Sequence, residues 1–128
     1  MVLPAMPTRS CGPRRCCPPN KWRWWPRALA TLQATARHAD GGANWFAGIN
    51  PQRPADWLPP VQDCHGAPGI VCRLAAAPHT PEWDTLLLQA GALTWHAGPL
   101  SKGASLCHGT AGSGFAMLKL WRRSGDPV

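Results

Sequence analysis

The 128 residues predict an all-α fold, a helical-hairpin repeat behind a largely irregular N-terminal segment. Three observations carry that expectation. The triplet Cys-His-Gly occurs at Cys64–Gly66 and again at Cys107–Gly109, 43 residues on, and each copy leads into an apolar, helix-like run. A repeat of about that length is typical of helical-hairpin arrays. No stretch alternates with period two for long enough to suggest a sheet. Fifteen prolines and thirteen glycines exceed the usual share of roughly 12% for the two together, which marks much of the rest as irregular.

We divide the chain near residue 40. Residues 1–40 form a basic, Pro/Cys/Trp-rich leader, expected to be disordered or spuriously translated. Within it only Ala28 to His38 looks helical, since it follows Pro26 and is rich in alanine. Residues 41–128 make up the hairpin domain, opening on a Gly- and Pro-punctuated loop over 41–62. After the first triplet, Ile70 to Ala77 can form a short helix that stops before Pro78. Thr80 then offers an N-cap and Pro81 suits the first helical turn, with Trp83, Leu86, Leu87 and Ala90 on one face. That helix is expected to fade near Gly91 or Trp95. A second loop precedes the other triplet, and Ala111 to Arg122 forms a further helix offering Met117, Leu118 and Trp121 for burial. One hairpin cannot bury its apolar stripe alone, so a chain with one full unit and the start of another is expected to be a fragment.

The net charge of +7 is unevenly placed. Residues 1–40 hold seven Lys/Arg and one acid, whereas residues 41–128 hold six and five. The basic excess therefore says nothing about the partner of the triplet-bearing segment. A basic stretch interleaved with Trp can bind nucleic acid through phosphates and stacking, but here it is confined to the leader, and nucleic acid is not the expected partner. No apolar run approaches the roughly 18 residues of a membrane span, so no membrane is expected either. The start has no continuous apolar core, which argues against a secretory signal. The six cysteines then read as thiols or metal ligands in a cytoplasmic chain.

A thiolate and a neutral imidazole are good zinc ligands, and three protein ligands with one open position is the catalytic arrangement. Cys64, Cys107 and His108 can supply a Cys₂His set. Both triplets stand just before a helix, where unpaired N–H groups and the helix dipole favour a thiolate. Gly66, Gly69, Gly109 and Gly112 allow a sharp turn and close packing. Small buried thiols beside packing glycines would show the same triplets with no metal, so both readings stand on spacing alone. A Cys₃His site adding Cys72 fits less well, because helical rise would carry that residue roughly 10 Å from Cys64. Cys11, Cys16 and Cys17 lack the spacing of common zinc modules. The HExxH motif and the zinc-deaminase pattern are absent. His38, His79 and His96 stand alone and read as surface or loop residues.

The segments VQDCHGAPGIV and GPLSKGASLCHGTAGSGFAMLKLWRRSGD resemble the lanthionine synthetase C-like (LanC-like) proteins, whose signature is a pair of CHGxxG turns. The resemblance covers about residues 60–128, with a faint extension at Asn44–Trp45. It implies a ring of helical hairpins, an α/α toroid, of which this chain would be a part, with zinc at the hub held by Cys64, Cys107 and His108. His65 is implied as a proton donor or acceptor facing the site. Lys102 matches a lysine that helps hold the thiol substrate in glutathione-binding members. The implied reaction adds a thiol, from a peptide cysteine or from glutathione, to dehydroalanine or dehydrobutyrine in a dehydrated peptide or protein, giving a thioether.

Several positions depart from the family. Asp63 stands where Trp is usual, Ser113 replaces a common Asn, and Phe115 replaces a common Tyr and so lacks its hydroxyl. The family's other acid/base residues, a His and an Asp upstream of the first turn, find no match in residues 1–60, and neither His38 nor Asp40 sits in a motif. The truncated chain is accordingly expected to be inactive, and a non-catalytic zinc- or peptide-binding remnant is the alternative.

Overall fold

The structure is a computed structural model that describes residues 22–125 apart from 49, 51, 55 and 56. The Arg- and Cys-bearing stretch through residue 21, with Cys11, Cys16 and Cys17, lies outside the described residues. Four helices and one hairpin follow in order: α1 (Trp25–Thr35), β1 (Arg37–Ala39), β2 (Gly42–Asn44), α2 (Ala67–Leu74), α3 (Pro81–His96) and α4 (Thr110–Ser124). The molecule is mostly helical, as the sequence predicts, but with a small sheet that the sequence reading does not expect.

The reason for the sheet is a two-residue turn. Asp40 and Gly41 both have positive φ, 48° and 77°, the geometry whose twist matches that of paired strands. Ala36 adopts extended backbone and ends α1, and the antiparallel register then pairs Arg37 with Asn44 and Ala39 with Gly42. Three residues per strand are too few to show a period-two pattern. The hairpin spans the division placed near residue 40, and its β2 strand packs on α3, with Gly42 against the side chain of Leu93.

The first helix begins at Trp25, three residues before the expected start, with Pro26 in its first turn. Trp25 is buried and meets the fully buried Trp83 edge-on, their ring centroids 4.9 Å apart. Thus residues from both sides of position 40 share one core. The expected helix over 70–77 is shifted to Ala67–Leu74, because the chain turns helical straight after Gly66.

The N-terminus of α3 follows the sequence signals. Thr80 caps it by accepting a hydrogen bond from the Trp83 N–H at 3.2 Å, and Trp83, Leu86, Leu87 and Ala90 are all buried. For α4 the expected face needs correction. Gly112, Ser113, Ala116 and Leu120 are buried, Met117 is half-buried, and Leu118 and Trp121 are exposed. Small residues win the inner face because α2, α3 and α4 pack mutually and closely. At Gly91 a Cβ would run into the side chain of Leu120.

Arg123 locks the far ends of these helices together. Its guanidinium donates to the carbonyls of Ala75 and Ala77 at 2.6 and 2.7 Å and to the Asp84 carboxylate at 2.7 Å. Carbonyls left over at the end of α2 thereby gain a cationic donor. Burial raises the Asp84 pKa, but hydrogen bonds from Arg123 and His79 outweigh it and hold the carboxyl below its ordinary value.

Candidate metal centre

Each Cys-His-Gly turn is built on the same two glycine contacts. A Cβ at Gly66 would strike the carbonyl oxygen of Pro60, and one at Gly109 that of Gly103, in both cases the residue four before the cysteine. A Cβ at Gly69 would strike the carbonyl of Asp63, and one at Gly112 that of Leu106, in both cases the residue just before the cysteine. The backbone ahead of each cysteine therefore folds back onto the first turn of the helix it opens. Only glycine leaves the room.

The two turns meet directly. The Cys64 N–H donates to the Cys107 carbonyl at 3.2 Å. One ligand atom each of Cys64, Cys107 and His108 lies within 4.8 Å of the others. Zinc with S and N ligands at about 2.0–2.3 Å needs tetrahedral edges of about 3.5–3.8 Å, so small side-chain rotations would bring the three donors to bonding distance. In number, type and spacing these donors fit a zinc ion. They are the candidate ligands that the sequence singles out.

The surroundings set the charge state. The Cys107 thiol is pushed up, first by its hydrogen bond to Cys64, then by desolvation and by the charge of Cys64 and of Asp63, with Arg73 acting in the other direction. The neighbouring sulfur thus disfavours the Cys107 thiolate. Cys72 is different in kind. Burial, then a hydrogen bond to Asp63, raises its pKa to about 11, so it stays a neutral thiol. It lies on the buried face of α2, its sulfur 4.0 Å from the Gly112 carbonyl of α4, and is not one of the three clustered donors.

His65 is exposed, with Nδ1 3.0 Å from the Cys64 sulfur. Lys102 is exposed in the loop ahead of Gly103, and its ammonium makes no hydrogen bond or ion pair among the described residues. Ser113 is buried with its hydroxyl unpartnered, and Phe115 is exposed. Of the lone histidines, His79 contacts Asp84 at 3.2 Å, while His38 and His96 are exposed.

Three supporting residues carry no sequence signal for the roles they play. Asn44, buried at the end of β2, accepts from the N–H groups of Ala67 and Trp45 at 2.7 and 2.9 Å and donates to the Pro59 carbonyl at 2.9 Å. It caps α2 from 23 residues away, a task Gly66 cannot perform. Trp45 donates its indole N–H to the Leu32 carbonyl at 2.8 Å, closing the end of α1. Gln62 accepts a long contact, 3.8 Å, from the Cys64 thiol. The Asn44–Trp45 pair is visible in the sequence as a faint family feature. Its capping role becomes apparent only when β2 is seen beside α2.

Fold and site together define a helical protein in which paired Cys-His-Gly turns gather two thiols and an imidazole at helix N-termini. The family model for lanthionine synthetase C-like proteins matches residues 28–128, and the chain belongs to that family. It is 37% identical over 70 residues to a Danio rerio protein named glutathione S-transferase LANCL1, a match covering 52% of this chain and 17% of that protein. With an Arabidopsis thaliana protein named LanC-like protein GCL1 it shares 38% identity over 72 residues, 53% of this chain and 16% of the relative. The chain thus aligns with about a sixth of the length of these curated relatives. No solved structure matches it. No helix among the described residues is long and apolar enough to cross a membrane.

Proposed function

We propose that the chain carries the zinc-ligand portion of a LanC-like enzyme that joins a thiol to dehydroalanine or dehydrobutyrine, within part of an α/α toroid. The observation that carries this reading is the convergence of Cys64, Cys107 and His108, from turns 43 residues apart. These three would hold zinc and leave its fourth position open. When bound there, zinc lowers the pKa of a substrate thiol so that the sulfur ionises near neutral pH.

The new sulfur–carbon bond forms at the β-carbon of the dehydro residue. The π electron pair moves to the α-carbon, and a proton delivered there completes the thioether, replacing the one lost from the thiol. His65 is our candidate for that proton transfer. Lys102 is our candidate to meet a carboxylate of the thiol substrate, glutathione being one such thiol. The name of the Danio rerio relative supports that choice. The other substrate is a dehydrated peptide or protein. Two free thiols in the ligand set favour the cytoplasm.

One feature favours binding without turnover for this chain alone. Cys107, His108 and His65 are all exposed, so water reaches the donors and no dry cavity strengthens the electrostatics. The purified chain should hold about one zinc, and Cys64→Ala or Cys107→Ala should abolish it by metal analysis. Well-folded protein free of zinc after exposure to the metal would overturn the reading. With zinc, glutathione and a dehydroalanine peptide, mass spectrometry should show no adduct above background. An adduct would replace the non-catalytic expectation with an active fragment.

A further inference from the structure

We propose that the Asp63–Arg73 ion pair is a positioning clamp that sets the Cys64 sulfur toward Cys107 and His108; this rests on the zinc reading above. The guanidinium grips the carboxylate at both oxygens, Nη1 to Oδ1 at 2.7 Å and Nη2 to Oδ2 at 2.8 Å. A two-pronged bond of this kind fixes direction as well as distance. Asp63 is the residue immediately before the ligand, and Arg73 lies in the last turn of α2, so the pair ties the cysteine turn across the whole helix.

The same residue is held on its other sides. The Asp63 carbonyl presses on Gly69, and its Cβ lies where a side chain at Gly112 of α4 would stand. Arg73 also reaches toward the Gly69 carbonyl at 3.5 Å. Residue 63 is therefore wedged between the first turns of α2 and α4, and Arg73 closes the wedge. The Asp63 carboxylate sits only 17% exposed and needs this partner. Partners that orient metal ligands are commonly worth roughly ten- to a hundredfold in metal affinity.

The test is a double-mutant cycle on the full chain, read by zinc competition and by the visible spectrum of the cobalt-loaded form. Asp63→Asn and Arg73→Gln should each weaken zinc roughly tenfold, with the double variant no worse than either single. Each should alter the cobalt spectrum, a readout that a merely stabilising pair would not move, and Arg73→Gln should also lower the metal-free melting temperature because it leaves the mostly buried Asp63 carboxylate unpaired. Arg73→Lys keeps the charge without the fork and should fall between wild type and Arg73→Gln. A purely electrostatic role would move the singles in opposite directions, since Arg73→Gln would leave a bare carboxylate near the cation. That outcome, singles within about twofold of wild type, or multiplicative singles would overturn the clamp. Zinc bound by wild type, lost in Cys64→Ala and indifferent to residue 63 would sink the clamp alone. No zinc in wild type would sink both.

Discussion

The two Cys-His-Gly turns share a pair of glycine contacts and differ in much else, beginning with the backbone of the triplet's own glycine, φ 125° at Gly66 and −113° at Gly109. Ahead of each, a carbonyl four residues before the cysteine packs on one glycine, and the carbonyl just before the cysteine packs on another. The first turn is then braced from outside by Asn44 on the Ala67 N–H and Arg73 on Asp63. The second is braced from within its own loop. The Thr110 N–H donates to the Gly103 carbonyl at 3.0 Å, and its hydroxyl accepts from the Leu100 N–H at 2.9 Å. The histidines diverge as well: His108 joins the donor cluster, while His65 leans on its neighbour's sulfur. The glycine contacts thus repeat where sterics dictate them, and role follows from what each turn is packed against.

The sharpest way to break the comparison is to fill the shared contacts. Gly69→Ala and Gly112→Ala each force a Cβ onto a carbonyl oxygen, and neither helix can retreat without opening the core. Each should cost about 3 kcal/mol, the upper part of the usual range for overpacking. For a unit of this size that is a fall of roughly 12–24 °C in melting temperature. Gly114, further along α4, has open space where a Cβ would stand, with nothing within 4 Å. Gly114→Ala should raise stability by about 0.5–1 kcal/mol, because alanine is the better helix former. If Gly69→Ala destabilises and Gly112→Ala does not, the turns are not equivalent and the second is the looser.

The external brace gives a smaller effect. Asn44→Ala strips the cap from α2 and leaves the Ala67 N–H and Pro59 carbonyl unpaired in a buried setting, at a cost of about 2 kcal/mol. Thr110→Val removes only the local bond to the Leu100 N–H and should cost about 1 kcal/mol. Denaturant midpoints of the two variants give the ratio. Equal costs would mean that the remote cap contributes no more than the local one.

These residues also show what the sequence can reveal. The donors are legible because their chemistry is local: Cys64, Cys107 and His108 sit in repeated triplets before helices. Helix α3 is legible because Thr80, Pro81 and an apolar stripe act within one segment. The hairpin has a signal, Asp40–Gly41, but strands of three residues give no alternation to accompany it. The inner face of α4 is misread from sequence because bulk, which suggests burial, is excluded where three helices crowd. Asn44, Arg73 and Arg123 act across 10 to 48 residues, and their partners are backbone groups or side chains that no spacing rule anticipates.

The smallest expected effect concerns the far ends of the two helices that start at the two turns. Asp84 ties α3 to Arg123, and so to the end of α2, and its carboxyl is held below its ordinary value of 3.8 by Arg123 and His79 against the opposing effect of burial. A carboxyl with a lower pKa in the folded state contributes stability above the unfolded pKa and loses it as pH falls through the folded one. Melting temperature should therefore hold from neutral pH down to about pH 4 and decline below it. Asp84→Asn should lie below wild type at neutral pH and approach it on acidification. Both curves should decline with acid, because Asp63 is also held low, chiefly by its hydrogen bond to Arg73, and titrates in wild type and variant alike; the gap between the curves reports Asp84. Parallel curves for wild type and Asp84→Asn would show that Arg123 works through the Ala75 and Ala77 carbonyls alone. The far ends of the helices would then be joined by neutral acceptors, and the acid-sensitive tie among the described residues would be the one beside Cys64.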